Sequence, residues 1–320
     1  MGKRSKPRSG SLQFWPRKRA RKFLPSVNWS ILQEKNQNAK LLGFIAYKVG
    51  MVSALVKDNT PNSMTKDKRI SVPVTILEAP PIKILSVRFY KNGQVISEIF
   101  SENVDKELRR KIKVIKKKQE KRIEDLKDYD NVRVIIYSVV KQTGIKKTPD
   151  IVEIGLEGTL EDKVNFVKTH LNKEINLAGI FKSGQLVDVR GLTKGKGLSG
   201  PVKRFGIGLK QHKSEKGRRR PGSLGPWHPH YVIFKVPMAG QLGMFSRINF
   251  NAKILNIGKI DEKNINPSEG FHNYGNIKTN YIILSGSVIG AKKRQLLLTF
   301  PLRKTKKQVN KDYEFVNLIR

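Results

Sequence analysis

Apolar residues fall into two β-like blocks along the chain, with a helix-like stretch between them. Runs rich in Val, Ile, Phe and Tyr occupy 41–47 (LLGFIAY), 70–77 (ISVPVTIL) and, after a Pro80-Pro81 break, 82–90 (IKILSVRFY). β-Branched and aromatic side chains bounded by turn residues predict strands. The same texture returns at 185–190 (QLVDVR), 252–258 (AKILNIG), 280–290 (NYIILSGSVIG) and 294–300 (RQLLLTF). The two blocks are expected to combine in one β-barrel.

Between them, Val104, Leu108, Ile112, Ile115, Ile123 and Leu126 recur at three- and four-residue steps, with Gln119 filling the one gap. This predicts an amphipathic helix over 101–127 whose outer face is Lys and Arg, packing on its neighbours rather than reading nucleic acid. Strands are expected at 132–137 (VRVIIY) and 150–156 (DIVEIGL), followed by a helix that Thr159 caps through Asp162 and that carries Leu160, Val164, Val167 and Leu171. The chain thus reads as mainly β with an inserted α+β region. Its parts are a basic N-terminal arm (1–36), a first β part (37–90), the insertion (91–178), a second β part (179–302) and a C-terminal tail (303–320). No internal repeat is evident.

Charge changes this picture most. The 320 residues include 64 Lys and Arg against 26 Asp and Glu, a net charge of +38. A molecule so charged repels itself in solution, whereas a phosphate backbone neutralises it and releases counterions, so nucleic acid is the leading partner class. A membrane partner is not expected, because no run approaches the 18 apolar residues of a spanning helix and the basic segments lack the periodicity of a surface-lying one. The basic N-terminus has no apolar stretch behind it, so secretion is not expected either. The chain has no Cys. That agrees with a reducing compartment and excludes disulfides, zinc knuckles and thiol catalysis.

The positive charge is concentrated in two places. Residues 1–22 hold Lys3, Arg4, Lys6, Arg8, Arg17, Lys18, Arg19, Arg21 and Lys22 with no acid, and Pro7, Gly10 and Pro16 oppose a helix. A disordered solubilising tail and an RNA-contacting arm both fit such a block. Phe14 and Trp15 favour the arm, since aromatics are scarce in inert tails and stack well on bases. Because its charges lack internal partners, the arm is expected to be disordered until it meets RNA. The second concentration is a long loop, 191–250, whose first part (191–226) has nine Gly, three Pro and ten Lys or Arg against the single acid Glu215. With so few apolar side chains to bury, this stretch is expected to take shape only on a partner, its glycines letting main chain approach phosphate and sugar. The candidate contacts are Lys194, Lys196, Lys203, Arg204, Lys210, Lys213, Lys216, Arg218, Arg219 and Arg220, with Trp227, His228 and Arg247 further along.

Inside the loop, Gly195-Lys196-Gly197-Leu198-Ser199-Gly200 has the G-x-G-x-x-G spacing of a dinucleotide site. That chemistry needs a helix starting at the loop and an acid about 20 residues on. Pro201, Gly206 and Gly208 oppose the helix, and Glu215 sits among Lys213, Lys216 and Arg218. Trp227-His228-Pro229-His230 offers two imidazoles but no third ligand nearby. Trp227 fits either a stacking residue against RNA bases or a buried core residue. No catalytic triad, paired carboxylates, metal site, cofactor or small-molecule substrate is expected. An RNA-modifying enzyme using the glycines as a phosphate cradle is the rival class, and saturable binding of a dinucleotide or methyl donor would mark it.

Long segments then match one family in order: PRSGSLQFWPRKRA (7–20), LLGFIAYKVGM (41–51), VPVTILEAPPIK (72–83), VDVRGLTKGKGLSGPVKRFG (187–206), KGRRRPGSLGPWHP (216–229), VPMAGQLG (236–243) and GFHNYGNIKTNYIILSGSVIGAKKR (270–294). The chain resembles the universal ribosomal protein L3 family in its archaeal form. The resemblance implies a closed six-stranded barrel of the translation-protein type with an α+β insertion. It implies binding to large-subunit ribosomal RNA, including its 3′ portion, and neighbours among the L14 and L24e families, within cytoplasmic ribosomes. It further implies that arm and loop penetrate the RNA. The loop would approach the peptidyl transferase centre, with Trp227 near its inner end and Lys194, Lys196, Lys203, Arg204, Arg218, Arg219 and Arg220 on RNA backbone, and with catalysis left to the RNA. Two places depart from the family. Gly243-Met244-Phe245-Ser246-Arg247-Ile248-Asn249-Phe250-Asn251 replaces a pattern like G-F-H-x-R-T-E-x-N-K, keeping only Arg247 and Asn251 of its polar positions, and Glu215 stands where eukaryotic members place His.

Overall fold

The computed structural model describes residues 10–32, 41–113, 123, 126, 128–213 and 216–319. By compactness the chain divides into two units, Leu24–Gly191 with Ile248–Arg320, and Met1–Phe23 with Leu192–Arg247.

The larger unit opens with a long hairpin, β1 (Gly43–Asp58) and β2 (Arg69–Glu78), then a second, β3 (Ile82–Lys91) and β4 (Gln94–Phe100). Asn92 and Gly93 close the second hairpin with φ of 50° and 77°. Two consecutive positive φ values are the two-residue turn that matches strand twist, and Asn-Gly is the pair that tolerates it. β5 (Asn131–Ser138), β6 (Ile151–Gly155), helix α1 (Leu160–His170) and β7 (Leu186–Leu192) follow. The smaller unit supplies β8 (Leu198–Ser199), α2 (Pro201–Phe205) and β9 (Gly240–Gln241). The chain then continues through β10 (Ser246–Lys259), β11 (Asn280–Ser285), β12 (Gln295–Thr299), a short helix α3 (Lys306–Val309) and β13 (Tyr313–Ile319).

The fold is mainly β, as the apolar pattern predicts. Seven strands pair in the order β12-β7-β10-β11-β2-β1-β13, and β12 also pairs with β1. Pairing therefore returns on itself through β1, β2, β11, β10, β7 and β12, with β13 added outside. Long β1 makes this possible: its first half (Gly43–Tyr47) pairs β12 and its second half (Ser53–Asp58) pairs β13, while β2 runs along its other side. A second sheet has the order β4-β3-β5-β6, antiparallel throughout. One core joins the two sheets, drawing Phe44, Ile45 and Tyr47 from β1, Val87 and Phe89 from β3, Val134 and Ile136 from β5, and Leu296, Leu297 and Leu298 from β12. β7 and β12 are buried along their whole length, which leaves the apolar run Leu296–Leu298 on β12, while β7 carries Asp188 and Arg190 inside with hydrogen-bond partners. Full burial of each Leu or Ile side chain contributes roughly 1.5–3 kcal/mol, so this double-faced burial dominates the stability of the unit.

Three expectations need correction. The strand of 82–90 does not join the first sheet: as β3 it pairs only with β4 and β5. Pro80-Pro81 turns the chain out of one sheet and into the other, and a two-residue period identifies a strand without identifying its partner. The α-helix expected over 101–127 is absent from its described residues, where Lys106–Arg110 form a 3₁₀ turn instead. Val104, Leu108 and Ile112 do face inward, onto Leu85, Ile135 and Tyr137, but Asp105 accepts from Tyr137 Oη at 2.9 Å and from Lys83 Nζ at 3.2 Å. These tertiary bonds fix the segment's entry and override its helical propensity. Ile115 and Gln119 lie outside the described residues. Finally, the segment 303–320 carries strand β13, whose Phe315 and Leu318 pack on a second core cluster. The α1 helix begins as expected: Thr159 accepts from the Asp162 amide and Asp162 accepts from Thr159 in a capping box, with Val167 buried.

Several carboxylates of this unit are enclosed and hydrogen-bonded, among them Glu78, Asp188 and Asp58. Glu78 accepts from Tyr274 Oη, from the Lys278 and Thr279 amides at 2.9 and 3.0 Å, and from Thr279 Oγ1 at 3.0 Å. Asp188 accepts from the Asn251 amide at 2.8 Å and the Leu302 amide at 3.0 Å. Asp58 accepts from the Thr60 amide, Ser63 Oγ and Thr65 Oγ1 at 2.9, 2.8 and 2.6 Å. The hydrogen bonds from Thr60 and Thr65 hold the Asp58 carboxyl well below the usual carboxylate range. A carboxyl lowered by folding stabilises the native state above its unfolded pKa and loses that contribution as pH falls towards its folded pKa. Asp58→Asn should therefore be less stable than the natural chain at pH 7, and the gap in denaturation midpoint should narrow below a pH of about 4, the unfolded Asp pKa. An equal gap at pH 7 and pH 3 would show that the Asp58 charge does not contribute.

Candidate nucleic-acid interface

The smaller unit carries 21 Lys and Arg against one acid, Glu215, which lies outside the described residues. Its glycine-rich loop is nonetheless built. The two ends of the loop pair as a ribbon: Thr193 N donates to Phe245 O, Lys196 N to Leu242 O and Leu242 N to Gly197 O at 2.9–3.0 Å, and β8 pairs with β9. The ribbon requires a glycine at 243. Gly243 has φ of +78°, and a Cβ there would lie 1.9 Å from the Lys194 carbonyl oxygen.

The G-x-G-x-x-G segment leads into helix α2, contrary to the expectation that Pro201 and the glycines would prevent one. Pro201 occupies the first turn and Gly206, at φ of 68°, ends the helix in left-handed geometry. Residues that break a helix internally are the preferred start and stop of a short one. Five residues are too few for a dinucleotide site, and no acid of the described loop stands where ribose would need one.

Around α2 lies a small core. Phe205 and Ile207 are both only 5% exposed. The Trp15 ring packs on Phe205 and edge-on against Phe234, with centroids 5.9 and 5.7 Å apart. The Arg17 guanidinium lies 4.1 Å from the Phe205 centroid, a cation–π contact. Arg17 Nη1 donates to Arg204 O at 2.6 Å, and Arg204 Nη2 donates to Arg17 O at 3.5 Å. Arg204 further donates from Nε to Gln241 O at 3.0 Å and from Nη1 to Met238 O at 2.9 Å. Burial lowers the Arg204 pKa, yet a guanidinium stays charged throughout the physiological range. The arm is also tied to the ribbon, with Ala20 N donating to Met244 O at 2.9 Å. Arg247 stacks over Phe14 with its guanidinium 4.3 Å from the ring centroid.

The candidate residues therefore separate into two groups. Lys18, Arg19, Arg21, Lys22, Lys194, Lys196, Lys203, Lys213, Lys216, Arg218, Arg219 and Arg220 are exposed, while Arg17, Arg204, Lys210 and Arg247 are half-buried. Lys210 and Arg218 clasp one another's backbone, Lys210 N donating to Arg218 O at 3.1 Å and Arg218 Nε to Lys210 O at 3.2 Å. Lys3, Arg4, Lys6 and Arg8 lie outside the described residues. Exposed Lys235 belongs to the same unit, and it escapes sequence reasoning because it stands beyond the glycine-rich run.

Trp227 is 79% exposed, which decides between its two readings against burial within the chain. His230 meets its edge at 5.2 Å between centroids and His228 lies 4.5 Å from His230. Among the described residues no group of three His, Cys, Asp or Glu could hold a metal ion. Tyr231, Val232 and Phe234 are exposed with Trp227. The stretch 227–235 thus offers exposed aromatic and apolar side chains beside exposed Lys235, the combination that stacks bases and attracts phosphate.

The arrangement agrees with what comparison with known proteins finds. Residues 1–318 match the family model described as "Ribosomal protein L3". Among similar curated proteins, the "Large ribosomal subunit protein uL3" of Methanocaldococcus jannaschii is 40% identical over 313 residues, covering 93% of this chain and 92% of the relative. The proteins of the same name from Methanothrix harundinacea and Methanosphaera stadtmanae are each 41% identical, over 93% and 97% of this chain. A basic ribbon unit, a mainly β core and a family match along almost its whole length lead to one conclusion: the chain belongs to the ribosomal protein L3 family.

Proposed function

We propose that this chain binds large-subunit ribosomal RNA, including its 3′ portion, through the smaller unit, and that its loop shapes the surroundings of the peptidyl transferase centre. As a family member it is a structural constituent of the large ribosomal subunit and not an enzyme. The observation that carries the RNA reading is the set of exposed Lys and Arg in a unit where no described residue is acidic. The six-strand cycle of pairing supports the closed-barrel reading of the larger unit. Exposed Trp227 suits stacking on a nucleotide at the inner end of the loop. Proteins of the L14 and L24e families are the expected neighbours, in the cytoplasmic ribosome.

The test is salt dependence. Affinity of the purified chain for large-subunit RNA should fall linearly on a log-log plot, each neutralised phosphate contributing roughly 0.7–0.9 to the slope. Changing Lys194, Lys196, Lys203, Arg218, Arg219 and Arg220 together to Gln should flatten the slope by about 4 to 5. Salt-independent binding, or an unchanged slope in the six-fold variant, would overturn the reading.

A further inference from the structure

We infer that Arg17 and Arg204 are positioning residues that lock the arm to the loop before RNA is bound, so that the two extensions meet RNA as one preformed surface. The inference rests on the RNA-binding reading but concerns the free chain. It differs from what charge suggests, since both arginines belong to the basic blocks that look like phosphate contacts.

Three observations carry it. The first is reciprocity: each guanidinium donates to the other residue's carbonyl, so neither segment holds its position alone. The second is saturation. Arg204 reaches the carbonyls of Arg17, Met238, Ala239 and Gln241, and the backbone at Gly240 passes so close that a Cβ there would lie 2.8 Å from Arg204 Nη1. A planar fork with its donors directed at main chain has little left for a phosphate, whereas a lysine, with one ammonium, cannot span four carbonyls. The third is enclosure. Phe205 is buried under Arg17 and Trp15, and a Cβ on Gly10 would lie 2.9 Å from its ring, so the arm itself forms the lid of this core. Exposed Arg218 also donates to a carbonyl, that of Lys210, but it reaches one carbonyl where Arg204 reaches four, and it covers no buried ring.

The consequence is thermodynamic. A segment that folds only on binding loses affinity to the entropy of ordering, and preorganisation removes that loss. Loss of the lock should weaken RNA binding without changing how many phosphates are neutralised in the complex. A phosphate contact behaves differently: removing its charge lowers the salt slope by roughly 0.7–0.9, and exchanging Arg for Lys changes little.

The experiment compares the full chain with Arg204→Lys and Arg204→Gln, first by amide hydrogen exchange without RNA and then by RNA binding across salt concentrations. In the free natural chain the Ala20 amide, donor to Met244 O, should be protected, and both variants should lose that protection while amides of β12 keep theirs. RNA affinity should fall about tenfold in both variants, with the salt slope unchanged. Fast exchange at Ala20 in the natural chain would overturn the inference, as would retained protection in Arg204→Lys or a slope change confined to Arg204→Gln. If β12 protection were lost as well, Arg17→Lys supplies the same comparison from the other side of the exchange. A chain with protected Ala20 that failed to bind RNA would sink the functional reading and leave the lock intact.

Discussion

Glu78→Leu is expected to lower the unfolding free energy by about 3–5 kcal/mol, measured by denaturant titration with a core probe. The size follows from the four donors around the carboxylate. Tyr274 Oη, two consecutive amides and Thr279 Oγ1 all converge on a fully buried side chain. Leucine fills a similar volume but leaves these donors without an acceptor in a site that water does not reach. Each stranded donor costs roughly 1–3 kcal/mol, partly relieved by local rearrangement. Glu78→Gln keeps one acceptor oxygen and should fall between the two. The same carboxylate holds Tyr274, whose burial raises the phenol pKa far above its ordinary value and keeps it a neutral donor. A loss below about 1 kcal/mol for Glu78→Leu would mean that the 274–279 turn is secured by its apolar contacts instead.

Gly243→Val is the second large effect, and it should separate the two units. The Lys194 carbonyl oxygen occupies the space a side chain would need, at 1.9 Å from an ideal Cβ, and the backbone is already in left-handed geometry. No rotamer relieves a clash at Cβ, so the ribbon of 193–199 with 240–245 must part. The expected result is loss of exchange protection at Lys196 and Leu242 and a fall in RNA affinity of roughly a hundredfold, because a preformed surface becomes one ordered on binding. The Leu296–Leu298 core lies in the other unit and should keep its unfolding midpoint. Loss of that midpoint as well would show that the larger unit needs the ribbon in order to fold.

The strands were legible in the sequence because a sheet buried on both faces leaves runs such as LLLT on β12, and a half-exposed one leaves alternation, as in the second half of β1. Their partners were not. β2 and β3 share a composition and stand three residues apart, yet they enter different sheets. The 3₁₀ turn at Lys106–Arg110 was hidden because its cause, the bonds of Asp105 to Tyr137 and Lys83, is tertiary. In the smaller unit the positions of the cations were legible and their division of labour was not. Arg17 and Arg204 look like any basic residue in a basic block, and only the carbonyls around them distinguish their role. Likewise Trp15 and Trp227 are both aromatics amid positive charge, but Trp15 packs against Phe205 and Phe234 while Trp227 faces outward.

The way β1 is shared among its partners also bears on how the chain is made. Gly43–Tyr47 pair with Gln295–Thr299, so a strand near the start of the larger unit waits for partners about 250 residues further on. During vectorial synthesis the β1–β2 hairpin can form at once, and the cation-rich ribbon is complete before β12 emerges to bridge β1 and β7. Contacts so distant along the chain slow folding, because loop closure precedes any gain from the contact. The β1 edge of the larger unit therefore stays without its distant partner through most of synthesis, and β12 covers it on pairing with both β1 and β7.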